Sequence, residues 1–411
     1  MQVLQGKNLL RIKETNQSAI LRMIYYYGPI SRSDIAQRLE LTLPTITTNI
    51  NKMLGEGLIK ETFIRGKAPN PSGRRAHPLY INQQACYFGG VELKNTNWSV
   101  CVTDFGGRTL ASAEGVCPDG DYDNFMWQIG RDFTACLQES GKRLEDLCGI
   151  GISLPGLVDR EKGILKISSR YRWIEREVCS DFARLTGYQG KITLENNAIA
   201  RGLSAQLFNW DEVEKGKSFA YLVVSAGIAC PFFLNTSSYR GSVVDAGEAG
   251  HMVIDPHGRL CVCGNHGCLE AYSREYAIIN DCKKEMEQGR AGILREISAE
   301  RRELTIKDVV QAQESGDRDV CRIVENAIYM LGVAATNIIN FAGPDIMLVD
   351  CQLFRNASNR QLFLNYTQGN RSNPAHYKYF KTTISFVDSD RFIGALGAAA
   401  AAIDEKLEIV M

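Results

Sequence analysis

"GEAGHMVIDPHGRLCVCGNHGCLEAYS", residues 247 to 273, crowds three cysteines, three histidines and two glutamates into one glycine-bearing stretch. Closely spaced cysteines in a reducing compartment bind metal more often than they pair as disulfides, and zinc takes tetrahedral sets of cysteine and histidine. Cys261, Cys263 and Cys268 supply three thiolates in the spacing Cys-x-Cys-x4-Cys. The fourth ligand is then one of His251, His257 or His266. The alternative is a set of buried thiols with no metal, to which three cysteines beside turn residues are poorly suited.

The surrounding chain sets the context. At 411 residues it is too long for one ordinary core and divides into two or three domains. No run of about 18 apolar residues occurs, and the N-terminal "MQVLQGKNLLRIKETNQ" is polar, so neither a membrane span nor a secretory signal is expected and the cytoplasm is the expected location. The 13 cysteines are scattered from Cys86 to Cys351 without a disulfide-framework spacing, which reads as reduced, mostly buried thiols. Net charge is zero but unevenly placed: residues 1 to 80 carry twelve Lys or Arg against five Asp or Glu, a net of +7, and the rest carries −7. A basic head on an acidic body points to a polyanion-binding module attached to a separate domain.

The head has a matching helix pattern. "NQSAILRMIYYYG" places Ile20, Ile24 and Tyr27 on one helical face, stopped by Gly28-Pro29. Ser33 is a candidate N-cap for a short helix burying Ile35, Ala36 and Leu39, and a second helix at 44 to 54 turns Ile46, Ile50, Met53 and Leu54 inward. Two short helices with a tight turn form a helix-turn-helix. Thr45, Thr47, Thr48, Asn51 and Lys52 face outward on the second helix, small polar groups suited to base edges or phosphates in a major groove. "LIKETFIRGKAPNPSGRRAHPLYIN" then runs out, turns and returns as a hairpin wing, with Arg74 and Arg75 near a tip that could enter an A·T-rich minor groove. A helical bundle mediating dimer contacts is the competing reading. Charge, helix order and a basic wing agree on operator DNA as partner, bound by a dimer or higher homo-oligomer whose half-sites lie about 34 Å or a multiple apart.

From Cys86 the pattern changes to α/β. Three strand-like runs, "CYFGGVELK", "WSVCVTDF" and "GRTLASAEG", precede an amphipathic helix with Tyr122, Phe125, Met126, Ile129, Phe133, Cys136 and Leu137 on one side. "LCGIGISLPG", a helix near 175 to 186 and "KITLE" complete a βββαβαβ unit. The order restarts with "SFAYLVVSAG", "IACPFFLN" and "SYRGSVV", followed later by a long helix at 318 to 342 and the strand "DIMLVD". Two like lobes in tandem predict a cleft for a small molecule. The alanine-rich end "GALGAAAAAID" is expected to be a closely packed helix of the first lobe.

A helix-turn-helix, a doubled lobe and then Gly247 to Glu270, in that order, resemble the ROK family (repressors, open reading frames, kinases), in particular its xylose- and N-acetylglucosamine-type repressors. The resemblance covers nearly the whole chain and is most specific over Gly247 to Glu270. It implies an α/β fold in which a winged helix-turn-helix (1 to 80, with linker) precedes a two-lobed actin/hexokinase-like ATPase fold. The first lobe would span 81 to 196 plus about 385 to 411, and the second 197 to 384. It places the histidine of the Gly-His pair ten residues before the first cysteine, which selects His251 and implies one structural zinc per chain held by His251, Cys261, Cys263 and Cys268. It further implies that Glu248, His251 and Glu270 contact the hydroxyls of a carbohydrate or sugar phosphate effector, with Asn196 and Asn197 as further hydrogen-bonding partners; carboxylates suit vicinal hydroxyls as acceptors.

Kinases of that family carry patterns from which this chain departs. An Asp-x-Gly-Gly-Thr-Lys loop is replaced by "VELKNTN" (Val91 to Asn97), so side chains stand where glycines let backbone N–H groups approach phosphate. A glycine-rich second loop is replaced by "SAGIACP" (Ser225 to Pro231), and Pro231 has no N–H. A catalytic aspartate is replaced by Asn197 in "LENNAIA"; an amide cannot accept a proton at neutral pH. The expected function is therefore a sugar-responsive DNA-binding repressor without enzymatic activity, whose effector binds in the interlobe cleft and releases the operator. An active sugar kinase with an added head, and a non-catalytic sensor or scaffold controlled by a protein partner, remain the alternatives.

Overall fold

The computed structural model describes residues 9–62, 77–94, 97–117, 120–168, 171–209, 213, 218–234, 237–239, 247–299, 303–369, 382–388 and 392–408. Two compact units emerge, Met1–Lys215 with Arg391–Met411, and Gly216–Asp390. The division falls later than the boundary drawn at 196/197, because the helix that starts at Asn197 packs on the first lobe. The head belongs to the same unit as that lobe.

The head contains α1 (Leu9–Tyr27), α2 (Arg32–Leu39), α3 (Leu43–Gly55), β1 (Ile59–Glu61) and β2 (Leu79–Ile81). Ser31, not Ser33, caps α2: its Oγ accepts from Asp34 N at 3.1 Å, and Ser33 lies inside the helix. Ser31 has the extended backbone that an N-cap requires, and Ser33 is already past it. Thr42 caps α3 with Pro44 in its first turn, and Ile46, Asn49, Ile50 and Met53 are buried, so Asn49 replaces Leu54 in the inward set. Asn49 is tolerated there because its amide donates to Thr45 O at 2.8 Å. β1 and β2 pair antiparallel as the base of a wing. The wing tip, with Arg74 and Arg75, lies outside the described residues.

The first lobe carries β3 (Tyr87–Lys94), β4 (Asn97–Asp104), β5 (Thr109–Val116), α4 (Tyr122–Glu139), β6 (Leu147–Leu154), β7 (Leu157–Asp159), β8 (Ile164–Ser168), β9 (Trp173–Arg176), α5 (Val178–Thr186), β10 (Ile192–Asn196) and α6 (Asn197–Phe208). Its main sheet has the order β10-β6-β3-β4-β5, parallel on the β10 side and antiparallel on the β5 side. β7, β8 and β9 form a small antiparallel sheet that the hydrophobic pattern does not separate from its surroundings. α4 buries the seven residues its period assigns, plus Gly130.

In the second unit β11 (Phe219–Val224), β12 (Ile228–Ala229), β13 (Phe232–Leu234), β14 (Ser237–Tyr239), β15 (Ile346–Cys351) and β16 (Thr383–Phe386) form a sheet of order β14-β13-β11-β15-β16, with β12 against β11. Again three meandering strands join parallel ones, which is the duplication read from the sequence. Its helices are α7 (Glu270–Ser273), α8 (Glu275–Glu287), α9 (Gly292–Ser298), α10 (Ile306–Glu314), α11 (Arg318–Ala342) and α12 (Ala357–Gly369). No described helix is long and apolar enough to cross a membrane.

The chain ends in α13 (Ile393–Glu408), whose alanines are buried against the first-lobe sheet. A Cβ at Gly151 of β6 would lie 1.7 Å from Ala398 O, so helix and strand touch backbone to backbone. Small residues on both sides permit that approach, as expected for the alanine run. α13 also holds the head: Arg22 Nη2 of α1 meets Asp404 Oδ1 at 2.8 Å and Glu408 Oε1 at 3.2 Å, and Ser18 Oγ donates to Glu408 O at 2.6 Å.

Candidate functional site

Local turns bring the four donors of 251–268 together. Ala249–His251 is a single 3-10 turn, and the following chain doubles back through the bridges Val253 with Cys268 and Leu260 with His266. Cys261 N donates to Asn265 O at 2.8 Å, and Gly267 N to Arg259 O at 2.8 Å. Tyr272 braces the loop, its hydroxyl donating to Asp255 Oδ2 at 3.0 Å and accepting from Arg259 N at 2.8 Å. Cys261 Sγ then lies 3.8 Å from His251 Nδ1 and Cys263 Sγ lies 3.7 Å from Cys268 Sγ, with all four donor atoms within 4.8 Å of one another. A tetrahedral cation with metal–sulfur bonds of about 2.3 Å sets its sulfurs about 3.8 Å apart, so the cluster has the dimensions of a metal knuckle. Burial and the neighbouring thiols push Cys268 up to about 12, whereas the Asn265 backbone and the adjacent thiols hold Cys263 below its ordinary value. Adjacent thiols resist ionising together, and a cation in their midst removes that penalty. His257 and His266 are exposed and outside the cluster; His266 Nδ1 faces Gly258 O at 3.2 Å.

The two segments that depart from the kinase patterns are tied up by contacts within the protein. Glu92, 2 % exposed on β3, receives Arg201 Nη2 of α6 at 2.9 Å and faces Ser99 Oγ at 3.5 Å. The carboxylate lies so close to the start of the last described helix that a Cβ on Gly394 would sit 1.8 Å from the Glu92 carboxyl carbon. In the segment Ser225–Pro231, Ser225 N donates to Gly227 O, Ile228 N to Glu270 Oε1 and Cys230 N to Gly247 O, so three of its backbone donors are already engaged within the protein. Glu270 is thereby fixed, with its other oxygen 3.6 Å from Arg274 Nη1, while Glu248 is exposed. Asn196 caps α6 through Ala198 N at 2.8 Å and donates to Gly156 O at 3.1 Å. Asn197 donates to Leu93 O at 2.9 Å, and its buried Oδ1 has no protein partner. Glu92 and Arg201 are absent from the sequence-based site. The available signal was a single charged residue, the arginine, in "NAIARGLSAQLF" and a single acid in the buried "FGGVEL".

Comparison with known proteins places this architecture. The ROK family model matches residues 88–404, most of the chain. The chain belongs to the ROK family. A MarR family model matches residues 14–62, which covers the helix-turn-helix, so a DNA-binding type of head precedes the ROK domain. The xylose repressor of Bacillus subtilis (strain 168) is 26% identical over 342 residues, 82% of each chain. The DNA-binding transcriptional dual regulator NagC of Escherichia coli (strain K12) is 24% identical over 345 residues, 83% of this chain and 81% of its own. A crystal structure of a ROK family transcriptional regulator, described as a homolog of E. coli MLC protein, superposes with a TM-score of 0.78 at 23% identity, covering 97% of both chains. The ROK hexokinase of Thermus thermophilus gives a TM-score of 0.61 at 21% identity, covering 78% of this chain and 98% of its own. These two likenesses establish the fold: head plus ROK domain in the first, ROK domain alone in the second.

On the head of this ROK protein, the outward side chains of α3 divide. Thr45 Oγ1 shares a hydrogen bond with Thr42 Oγ1 at 2.9 Å, and Thr48 Oγ1 donates to Pro44 O at 3.0 Å. Lys52 turns back, its Nζ 3.2 Å from Gln17 Oε1 and 3.6 Å from Glu56 Oε1. Asn51 is exposed with one long contact, Arg32 Nη2 at 3.5 Å, and Thr47 is half-exposed. Thr47 and Asn51 are therefore the α3 side chains best placed to reach a ligand.

Proposed function

We propose that this ROK protein is a sugar-responsive transcriptional repressor that binds operator DNA through its winged helix-turn-helix and does not phosphorylate its ligand. The observation that carries the non-enzymatic reading is the Glu92–Arg201 pair. Phosphoryl transfer depends on metal and phosphate positioning together with a base. Here the first-loop acid is neutralised internally, and Asn197 stands in place of the base. The repressor reading is supported by the helix-turn-helix head and by similarity to proteins named xylose repressor and NagC. A kinase function is disfavoured on the same grounds.

We assign Thr45, Thr47, Thr48, Asn51, Lys52, Arg74 and Arg75 to the operator, bound by a homodimer or higher homo-oligomer in the cytoplasm. His251, Cys261, Cys263 and Cys268 would hold one structural Zn2+, which would stiffen the loop after Glu248. We assign Asn196, Asn197, Glu248, His251 and Glu270 to contacts with a carbohydrate or sugar phosphate. Glu270 would act through one oxygen at most, given its bond to Ile228 N. An effector changes operator affinity only to the extent that it binds the two states differently.

The test is thermal unfolding of the zinc-replete protein against a panel of simple sugars and sugar phosphates, followed by operator binding with each hit. A ligand at about 100 times its dissociation constant adds roughly 2.7 kcal/mol of stability. A shift from one sugar that also changes operator affinity supports the reading. Sugar-dependent ATP turnover, or no operator binding by the full chain, overturns it.

A further inference from the structure

Outside the metal cluster, one thiol pair differs from the remaining cysteines. Cys86 immediately precedes β3 and is 2 % exposed; Cys148 is the second residue of the neighbouring strand β6 and is half-buried. β3 and β6 run parallel, with Tyr87 opposite Leu147 and Phe88 opposite Gly149. Two residues of β3 therefore face three of β6, and Cys148 is the extra residue of a bulge. The bulge places Cys148 beside Cys86 and the start of β3, so the two thiols are neighbours at this edge of the sheet.

Exposure divides the pair into a nucleophile and a resolving thiol, since Cys148 is half-buried and Cys86 is 2 % exposed. The contact with Cys86 and the nearby Lys406 ammonium of α13 pull the Cys148 thiol below its ordinary value, against the opposing effect of burial. Cys86 is pushed well up by its contact with Cys148 and by burial. Tyr188, whose hydroxyl donates to Leu147 O at 3.2 Å, is pushed up to about 12 by burial and by Cys148, so it stays neutral. The further cation on this edge, Lys142, is engaged over the Tyr87 ring at 3.9 Å. Cys101, Cys136, Cys179, Cys230, Cys282 and Cys351 are all pushed up by burial and are correspondingly inert. Half-exposure gives Cys148 access to a small oxidant, and Cys86 waits behind it out of solvent.

We propose that Cys148 and Cys86 form a peroxide-reactive pair that closes to a reversible intrachain disulfide at the junction of head and first lobe. The Cys148 thiolate attacks one oxygen of hydrogen peroxide, the O–O bond breaks, and hydroxide leaves and is protonated to water, giving a sulfenic acid. The Cys86 thiol then loses its proton and attacks that sulfur; the S–S bond forms, the S–O bond breaks and a second water leaves. Two thiols and one peroxide become one disulfide and two waters. The location gives the bond a target. Cys86 ends the turn after β2, where Asn82 N is bonded to Leu58 O and Phe105 N to Gln83 O, and Cys148 lies by Lys406, on the helix whose Asp404 holds Arg22. A disulfide needs Cα atoms about 4.4–6.8 Å apart and sulfurs at about 2.05 Å, so closure would tie the bulge of β6 to the residue that follows that turn.

The test uses the full-length, zinc-loaded protein, treated with one to a few equivalents of hydrogen peroxide, then blocked with iodoacetamide and peptide-mapped, with zinc release followed by a chromogenic chelator. The expected result is a Cys86–Cys148 linked peptide, formed before zinc is released and lost on dithiothreitol treatment. Cys86→Ser should trap Cys148 as a dimedone-reactive sulfenic acid, and Cys148→Ser should leave Cys86 unoxidised. In unoxidised protein, Cys148 alkylation should reach half its maximal rate at a lower pH than the value of about 8.5 of an ordinary thiol. The proposal is overturned if Cys148 stays fully alkylable after peroxide, if it pairs with another cysteine, or if it passes to sulfinic acid without the link. Serine at either position conserves shape, and matching melting curves for the variants confirm that a lost link reflects lost chemistry.

Discussion

Arg22, on the first helix of the head, is tied to Asp404, on the last helix of the chain, across 2.8 Å, with the aspartate side chain only 8 % exposed. The two residues are 382 positions apart, so the termini are joined at the point where the head meets its lobe. Arg160 meets Glu405, the neighbour of Asp404, at 2.8 Å and approaches Glu195 at 3.8 Å, and Glu195 accepts from Asn196 N at 3.0 Å. One helix thus carries, side by side, the mount of the head and a support of the Asn196–Asn197 turn. Arg22→Met should cost about 1–3 kcal/mol, because it removes the guanidinium hydrogen-bonded to the mostly buried Asp404 carboxylate. In combination with Asp404→Asn the loss should be smaller than the sum of the two single losses. Additive losses in denaturant unfolding would remove this contact from the mount.

The metal cluster makes a prediction that separates the three histidines. His251→Ala, Cys261→Ser and Cys268→Ser should each lower bound zinc well below one per chain and reduce the melting temperature, whereas His257→Ala and His266→Ala should leave both unchanged. Elemental analysis of purified protein decides it. Full zinc content in His251→Ala would reassign the fourth ligand, and zinc-free wild type of unchanged stability would remove the structural role.

Restoring an acid at the base position should not restore an enzyme. Asn197 donates to Leu93 O at 2.9 Å, and an aspartate there would set a carboxylate oxygen against that carbonyl. Asn197→Asp should therefore destabilise the protein by about 1–3 kcal/mol and still give no sugar-dependent ATP hydrolysis, since Arg201 continues to hold Glu92. Turnover above background in Asn197→Asp would mean that the Glu92–Arg201 pair opens on ligand binding.

Periodic burial made most of the fold legible. The inward face of α4, the span of α11 and the doubled order of strands all follow from apolar residues at regular spacing, and short spacing marked the cysteines of 261–268. What escaped depends on side chains meeting across long stretches of chain. Nothing near Glu92 announces Arg201, and nothing near Arg22 announces Asp404, because both pairs are fixed by how helices lie on the sheet. Ser31 and Ser33 are equally good caps by composition, and only backbone geometry selects Ser31. Glu270 reads as a free carboxylate until its bond to Ile228 N is seen.

The recognition helix allows a comparison of two adjacent residues. Asn51 is exposed, whereas Lys52 is held by Gln17 and Glu56. A bidentate amide contact to an adenine edge is worth about 1–3 kcal/mol of discrimination, so Asn51→Ala should weaken the best operator roughly 5- to 150-fold and relax selectivity at one base pair. Lys52→Ala should weaken all sequences alike, if at all, and reduce the salt dependence by no more than about one phosphate contact. Competition binding with single-base operator variants at two salt concentrations measures both. Uniform weakening by Asn51→Ala, with selectivity intact, would move base reading to Thr47 or to another element of the head.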